Sequence, residues 1–469
     1  MIKKVWVISV ILTISTAFAI SSCIGDSDGV IDSGSCGGGV EYSFDSDTGM
    51  MTISGNGDMY DYSGMTHAPW SDFRSEIKTV IIADGVTNIG KVAFRGCSAL
   101  TSVTIAESVK IIEVEAFNGC TSLETVTGGS GVTFIGKSAF YSCTSLSDFT
   151  IGDGVVTIND TAFYGCLSLK SISIPDSVQY INDGAFSTCR SLTDVTIGSG
   201  VCHIGNQVFY GSSALASITV DSDNDDYSSE DGVLYNKDKT KLLIYPEGAS
   251  STCTIPSTVN TISIDAFEGC TNLQTIIVDP ANEMFSSDDG ILYDKDKTEL
   301  MFCPRGTLIK TCVIPDSVTN ISKMAFNECR GITDVIFGSG VVQVGMSAFG
   351  SCSSLESVIM KDSVKTIGNN AFFDCWSLKK ITFGEGLQSV GSTIFSEYIY
   401  DSDGTTVLSP TVDNLRGSTF ERENGHLVKD GGAPNSDEDS SSSTLPIVAI
   451  IAIVIIIIAV AAFLMHRNA

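Results

Sequence analysis

The phrase Phe-x-x-Cys-x-x-Leu, or a close variant of it, returns along this chain at a fixed distance, and that distance constrains the fold more than any other feature. Its phenylalanines are Phe94, Phe117, Phe140, Phe163, Phe186 and Phe209, then Phe267, Phe326, Phe349, Phe372 and Phe395, spaced 23 residues apart except for steps of 58 and 59 around Phe267. Aligned on Phe, the eleven units share the consensus Val-x-x-Ile-x-x-x-Ala-Phe-x-x-Cys-x-x-Leu-x-x-Val-x-Ile, as in Val109, Ile112, Ala116, Phe117, Cys120, Leu123 and Val126. A unit this short cannot bury its apolar side chains alone, so neighbours must stack and share one core.

A period of roughly 20 to 29 residues with Leu and Ile at set offsets marks a leucine-rich repeat solenoid. A length of 469 residues would otherwise suggest about three domains of ~150 residues each. The repeat predicts instead one right-handed β-rich coil with a parallel concave sheet over residues 76–398. Eleven units stacked at the ~4.8 Å strand spacing make a spine of roughly 50 Å.

The end units of a solenoid expose a raw core, so caps are expected. Residues 36–75 alternate Tyr42, Phe44 and then Met51, Ile53 across Asp47-Thr48-Gly49, a hairpin pattern suited to an N-terminal β cap. Residues 399–430 form the C-terminal cap. The two long steps hold insertions, about 221–250 and 279–308. Each pairs an apolar strand (Val233-Leu234-Tyr235; Ile291-Leu292-Tyr293) with another (Leu242-Leu243-Ile244; Leu300-Met301-Phe302) across Lys-Asp-Lys-Thr, which predicts two β-hairpins duplicated with their host repeats.

The chain ends set the expected address. Lys3 and Lys4 precede an apolar run with Ala17-Phe18-Ala19 as a small-residue cleavage site, so residues 1–19 read as a signal peptide, followed by a spacer over 20–35. Residues 431–444 are an acidic, Ser-rich stalk. Leu445 to Met465 is uncharged and 21 residues long, enough to cross a ~30 Å hydrocarbon core as a helix. Asp437, Glu438 and Asp439 lie on one side and Arg467 on the other, which places residues 466–469 in the cytoplasm and the solenoid outside, as a single-pass type I membrane protein. Ile20-Ser21-Ser22-Cys23 is a degenerate lipobox, but lipid there would be redundant beside the helix. A sortase reading of Leu445-Pro446 fails because Val448 stands where Thr is needed.

On a strand, period two sends alternate residues outward. The outward pairs are Ser102/Thr104, Asp148/Thr150, Ser171/Ser173, Asp194/Thr196 and Ser217/Thr219, a hydroxyl-rich and mildly acidic face. In three later units Ile277, Ile336 and Ile359 take one of these places. An apolar row of this kind marks an interaction site unless the hairpins fold over it. The expected ligand-binding residues on the concave face are therefore Ile277, Ile336, Ile359, Asp334, Asp194 and Asp148.

Nine of the fifteen cysteines share one repeat position: Cys97, Cys120, Cys143, Cys166, Cys189, Cys270, Cys329, Cys352 and Cys375, with Ser212 and Tyr398 completing the register. In-register parallel side chains keep their Cβ atoms farther apart than the ~3.8 Å a disulfide needs, and free Cys behaves as a small buried hydrophobe. A structural ladder of buried thiols is expected. Cys202, Cys253, Cys303 and Cys312 lie off it, and a bridge among them stays open. No CxxC or Cys/His cluster suggests zinc. Asp221 to Asp226 places carboxylates at alternate positions, echoed at Asp401-Ser402-Asp403-Gly404 and Asp45-Ser46-Asp47, but Asp226 and Gly232 break the EF-hand pattern and solvated turns explain the acids. His67, His203, His426 and His466 share no frame with a nucleophile, no phosphate-cradling glycine motif is present, and Asn159 and Asn320 open two glycosylation sequons. No catalysis, cofactor or metal is expected.

The repeat phrase, the lead-in from Trp70 to Ile77 and the YSS-x-DG-[VI]-LY segments together resemble BspA-like leucine-rich repeat surface proteins over about residues 36–398. The resemblance implies adhesion or protein binding at microbial surfaces and offers no functional-residue motif to carry over. Lys plus Arg number 27 against 55 Asp plus Glu, a charge of −28 that becomes −30 once Lys3 and Lys4 leave with the leader. Such a surface repels nucleic acid. The expected function is a membrane-anchored extracellular solenoid that binds proteins or glycans, those of a host among them, without catalysis. The alternative is a self-associating surface coat.

Overall fold

The computed structural model describes residues 31–431. The signal peptide, nearly all of the stalk, the membrane helix over 445–465 and the tail lie outside these residues. Among the described residues no helix is long and apolar enough to cross a membrane.

Most turns of the solenoid carry two strands, one more than the sequence reading placed there. The Leu-x-x-Val-x-Ile segment forms the longer one: Ser102–Ile105 pairs in parallel with Thr79–Ile82 before it and Thr125–Gly128 after it, so Val80, Val103 and Val126 stand in one column. The Val-x-x-Ile segment forms a two-residue strand, as where Phe134–Ile135 pairs in parallel with Ile111–Ile112 and Thr157–Ile158.

The third side of each turn carries the phenylalanine. Two positions there are left-handed, two before Phe (Val92, Glu115, Ser138 and Thr161, φ between 51° and 62°) and two after it (Gly96, Gly119, Ser142 and Gly165). This alternation sends every second amide along the solenoid axis. The N–H groups of Val92, Phe94 and Gly96 donate to the next turn at Val114, Ala116 and Asn118, while those of Ala93, Arg95 and Cys97 close back onto their own turn. On the long strands the direction reverses, and Thr101 N–H donates to the preceding turn at Lys78. A β-branched residue held left-handed costs about 1–2 kcal/mol, which the inter-turn bonds offset.

The rings themselves stack. From Phe94 to Phe186 successive centroids are 5.2 to 5.4 Å apart with planes within 9° of parallel. Trp70 continues the column one turn earlier, 5.3 Å from Phe94, with its indole N–H donating to Ala93. The first solenoid turn thus begins inside the segment expected to be cap. Met50–Gly55 joins the cap to the coil, parallel to Thr79–Ile82 and antiparallel to Val40–Asp45. The spacer expected over 20–35 also ends earlier, because Ile31–Gly37 pairs antiparallel along the open edge of Val40–Asp45 and buries Cys36.

Each long step conceals a complete extra turn. Tyr245 N–H donates to Ala266 and accepts the Cys270 thiol on its carbonyl; Cys303 makes the same two bonds with Ala325 and Cys329. Tyr245 and Cys303 therefore occupy the phenylalanine place, invisible to a search for Phe-x-x-Cys. Lys241–Ile244 lies antiparallel to Val233–Asn236 on one edge and parallel to the solenoid strand Thr261–Ile262 on the other. Glu299–Phe302 does the same with Ile291–Asp294 and Asn320–Ile321. The segment set outside the coil is thus shorter than the 221–250 and 279–308 expected, since its last strand belongs to a turn. The buried apolar side chains fall into three clusters whose borders lie at these insertions.

Each insertion hangs on one buried asparagine. Asn224 donates to the carbonyls of Gly198 and Val201 and accepts from the amides of Asp226 and Tyr227, all at 2.8 to 2.9 Å. Asn282 repeats this with Pro256, Val259, Met284 and Phe285. At the far end Lys380–Thr382 pairs antiparallel with Thr419–Glu423, ending the parallel stack, and Arg422 clamps the cap through a two-pronged contact with Glu397 at 2.5 and 3.1 Å.

Replacing Asn282 with Ala removes hydrogen bonds from two carbonyls and two amides, of which the Pro256 carbonyl keeps the Val259 amide at 3.2 Å, and is expected to destabilise the second insertion by about 1–3 kcal/mol. The loss should appear as faster amide exchange across residues 282–302, and unchanged exchange would show that the strands alone hold the insertion.

Candidate functional site

The outward side of the long strands is the surface a partner meets. On Ser102–Ile105, Val103 and Ile105 are buried while Ser102 and Thr104 face out. Neighbouring turns join their hydroxyls: Ser102 donates to Thr79 at 3.3 Å, Thr104 meets Thr127 at 3.2 Å, and Thr196 donates to Ser173 at 3.0 Å. Parallel register places like residues side by side, so a hydroxyl at one offset becomes a row.

The six expected binding residues do not form one site. Asp148 reaches the first sheet only through an isolated bridge to Thr125. Gly128 and Gly129 are left-handed there, and Phe149 takes the Val place and wedges edge-on between Phe140 and Phe163 at 5.0 and 4.8 Å, so no regular strand forms. Asp194 lies in a separate three-stranded sheet, beside Ser171 and Ser217. Ile277 is 48% exposed but sits in a two-stranded sheet with Thr254 as neighbour. The second insertion closes the far edge of its strand, Ile276 N–H donating to Gly290 and Val278 N–H to Ser287. Ile277 is therefore cut off from Ile336 and Ile359, which are direct cross-strand partners and half-buried.

The same row gains a member the sequence reading passed over. Val313 pairs beside Ile336 and is 64% exposed, on Thr311–Val313 at the free end of its sheet. The signal was present in Cys312-Val313-Ile314-Pro315, which matches Ile172-Ser173-Ile174-Pro175, but it belongs to a hidden turn. Asp334 stands one column away between Thr311 and Ser357, accepting the Thr333 hydroxyl at 2.7 Å. Lys380 and Glu421 close that column as an ion pair at 2.7 Å.

The repeated cysteines face inward. Cys120, Cys143, Cys166 and Cys189 donate their thiols to the carbonyls of Phe94, Phe117, Phe140 and Phe163, and Cys352 and Cys375 to Phe326 and Phe349, at 3.0 to 3.3 Å. Ser212 keeps the pattern with Phe186 at 3.0 Å. Cys97 is buried at the head of the series. All fourteen described cysteines are free, and only Cys202 is exposed. Burial pushes the Cys143 and Cys189 thiols up to about 12. The off-ladder residues are scattered: Cys253 and Cys312 fill the Val column beside Ile276 and Val335, and Cys303 holds a phenylalanine place.

Among the described residues no group of three His, Cys, Asp or Glu side chains could hold a metal. The acidic turns use their oxygens locally. Asp403 accepts from the hydroxyl and amide of Thr406 and the amide of Thr405, bonds that pull its carboxyl down to about 2. His67, His203 and His426 lie apart, the latter two beside Tyr180 and Tyr400; His466 lies outside the described residues.

The family model for the BspA type leucine-rich repeat region, six copies long, matches residues 73–176, 156–251, 245–288 and 301–425. The chain belongs to this family. Its fold is similar to that of a leucine-rich repeat protein from Eubacterium ventriosum, 27% identical, over 81% of this chain and 89% of that one, with a TM-score of 0.51. A leucine-rich cell surface protein from Faecalibacterium prausnitzii is 25% identical over 79% of this chain and 96% of its own, with a TM-score of 0.49. A leucine-rich repeat protein from Bacteroides ovatus is 22% identical over 80% of this chain and 95% of its own, with a TM-score of 0.38. No curated protein matches.

A thiol reacts through its thiolate, so buried thiols held near 12 should be inert in the folded protein. Brief native alkylation is expected to modify Cys202 while sparing the ladder, as read by peptide mass spectrometry. Labelling of Cys143 at the same rate as Cys202 would refute the buried ladder.

Proposed function

We propose that this chain is a type I membrane-anchored extracellular binding protein that engages a protein or glycan at the cell surface without catalysis. The observation that carries the reading is the outward sheet face, a set of rigid hydroxyl rows interrupted by the apolar run Val313, Ile336 and Ile359. Hydroxyl rows offer many donors and acceptors at fixed spacing, and the apolar run beside Asp334 supplies the desolvating centre that a specific contact needs. Membership of the BspA-type family supports a surface role. The apolar segment 445–465 supplies the anchor and the acidic stretch before it the spacer.

Self-association as a coat is the second reading, favoured by Thr311–Val313, which ends its sheet with an exposed Val313. A strand at a sheet edge is a template for another chain.

The test is a screen of the full-length protein in nanodiscs against host glycoproteins and glycans, with sedimentation of the same sample. A saturable ligand that weakens roughly tenfold or more in Ile336→Asp supports the binding face. Wild-type affinity in that variant removes the face from the proposal. Reversible self-association without any ligand favours the coat.

A further inference from the structure

The two insertions are copies, and comparing them residue by residue exposes a difference in chemistry. Each leaves a groove between its last strand and the flanking turns, bounded in the first copy by Ile204 to Tyr210 and Leu234 to Glu247, and in the second by Ile262 to Glu268 and Leu292 to Arg305. The framework is shared, but the walls are not. Asn206, Leu243, Ile244 and Asp265 of the first groove become Ile264, Met301, Phe302 and Met324 in the second. The volume of the open groove rises from about 250 to about 500 Å³. Ile264 is 89% exposed and Met324 42%, so two large apolar side chains stand uncovered at the rim.

The charge at the inner end is reversed. In the first groove Glu247 is satisfied from within, accepting the Gly211 amide at 2.6 Å. Its counterpart Arg305 is only 12% exposed; its one ion pair among the described residues is with Glu328 at 3.5 Å, and the Glu247 carboxylate lies near enough to feel its charge without pairing with it. Its Nε is buried with no acceptor. A guanidinium has five donors, and leaving the Nε one unmet in a buried place is unfavourable. The nearby acids are engaged elsewhere or pair with it only at a distance, Glu247 accepting the Gly211 amide and making no hydrogen bond to Arg305. Glu299 accepts from Asn320 and Ser322, and Glu268 accepts from Gln207, while Asp265 is exposed.

We propose that the second groove is a binding site for a medium-chain alkyl carboxylate, a fatty acid whose head group meets Arg305 and whose tail lies along Ile264, Met301, Phe302 and Met324. The volume falls in the range of small-ligand sites, roughly 300–1,000 Å³. Methionines at the wall adapt to a flexible chain, and an unbranched tail asks for no hydrogen bonds from Ile264, Met301, Phe302 and Met324. The site is separate from the outward sheet face and stands independently of the role assigned to that face.

The test is a titration of the full-length protein in zwitterionic nanodiscs with decanoate carrying a ¹³C-labelled carboxyl group, followed by NMR, with empty nanodiscs subtracting partition into lipid. Saturable one-to-one binding is expected, weakened roughly tenfold or more in Arg305→Gln and by a similar factor when decanol replaces decanoate. Ile264→Asn and Met324→Asp import residues the first copy already tolerates, and each should weaken binding while circular dichroism stays unchanged. If Arg305→Gln fails to fold, Ile264→Asn decides the matter alone. Uptake that never saturates, equal binding by decanol, or tighter binding of an apolar peptide with an amidated carboxyl terminus would overturn the proposal.

Discussion

The carbonyl of the stacked phenylalanine is the junction on which the coil depends. It accepts the amide of the cysteine three residues later in its own turn and the thiol of the cysteine in the next, as Phe94 does with Cys97 and Cys120. The repeated phrase is thus a hydrogen-bonding rule as well as a packing rule. The ring fills the column, the small side chain three residues on fits the tight inner bend, and its donor ties one turn to the next. Ser212 obeys the rule with a hydroxyl, which shows that a small donor at this place suffices and that sulfur chemistry is not required. Left-handed residues on either side of Phe then aim the amides forward while the long strands aim theirs backward, so each turn is gripped from both directions.

This grip is strictly local, and the two insertions show what happens when its parts change. Tyr245 and Cys303 keep the backbone bonds of a phenylalanine place, so the coil continues. The ring column does not survive intact. Phe209 and Tyr245 do not stack, and the apolar core divides at the same points. Asn224 and Asn282 each bond four backbone groups at the bend after the long strand, in the place that Val201 and Val259 hold one turn earlier. The grooves are a by-product of this arrangement. Their walls carry inter-turn backbone bonds, as Met324 N–H does to Met346, but the side chains of Ile264, Met301, Phe302 and Met324 take no part in them, so the duplicated copies can differ there while their frameworks stay alike.

The outward face is likewise uncoupled from the core. Alternation along each strand leaves Val103 and Ile105 to the interior and Ser102 and Thr104 to the surface, so surface residues can change without disturbing the stack. That separation suits a binding scaffold. It also explains why the core phrase identifies the family while saying nothing of a ligand.

The period, the phenylalanine column, the inward cysteines and the hydroxyl rows could all be read from the chain, because each depends on contacts one turn away and one turn is a constant number of residues. Where that constancy failed, the reading failed with it. Ile277, Ile336 and Ile359 lie at equivalent offsets, yet an insertion that pairs with the edge of Thr275–Val278 parts the first from the others. Val313 joins the row through a turn whose phenylalanine place holds a cysteine. Arg305 carries no signal in the chain that sets it apart; folding buries it with Glu328 as its one ion pair among the described residues and its Nε without an acceptor. The sequence alone determined that turns stack and what fills them. Only the tertiary structure decided which strands remain neighbours and which buried groups lack partners, because both depend on contacts between segments whose separation follows no fixed period.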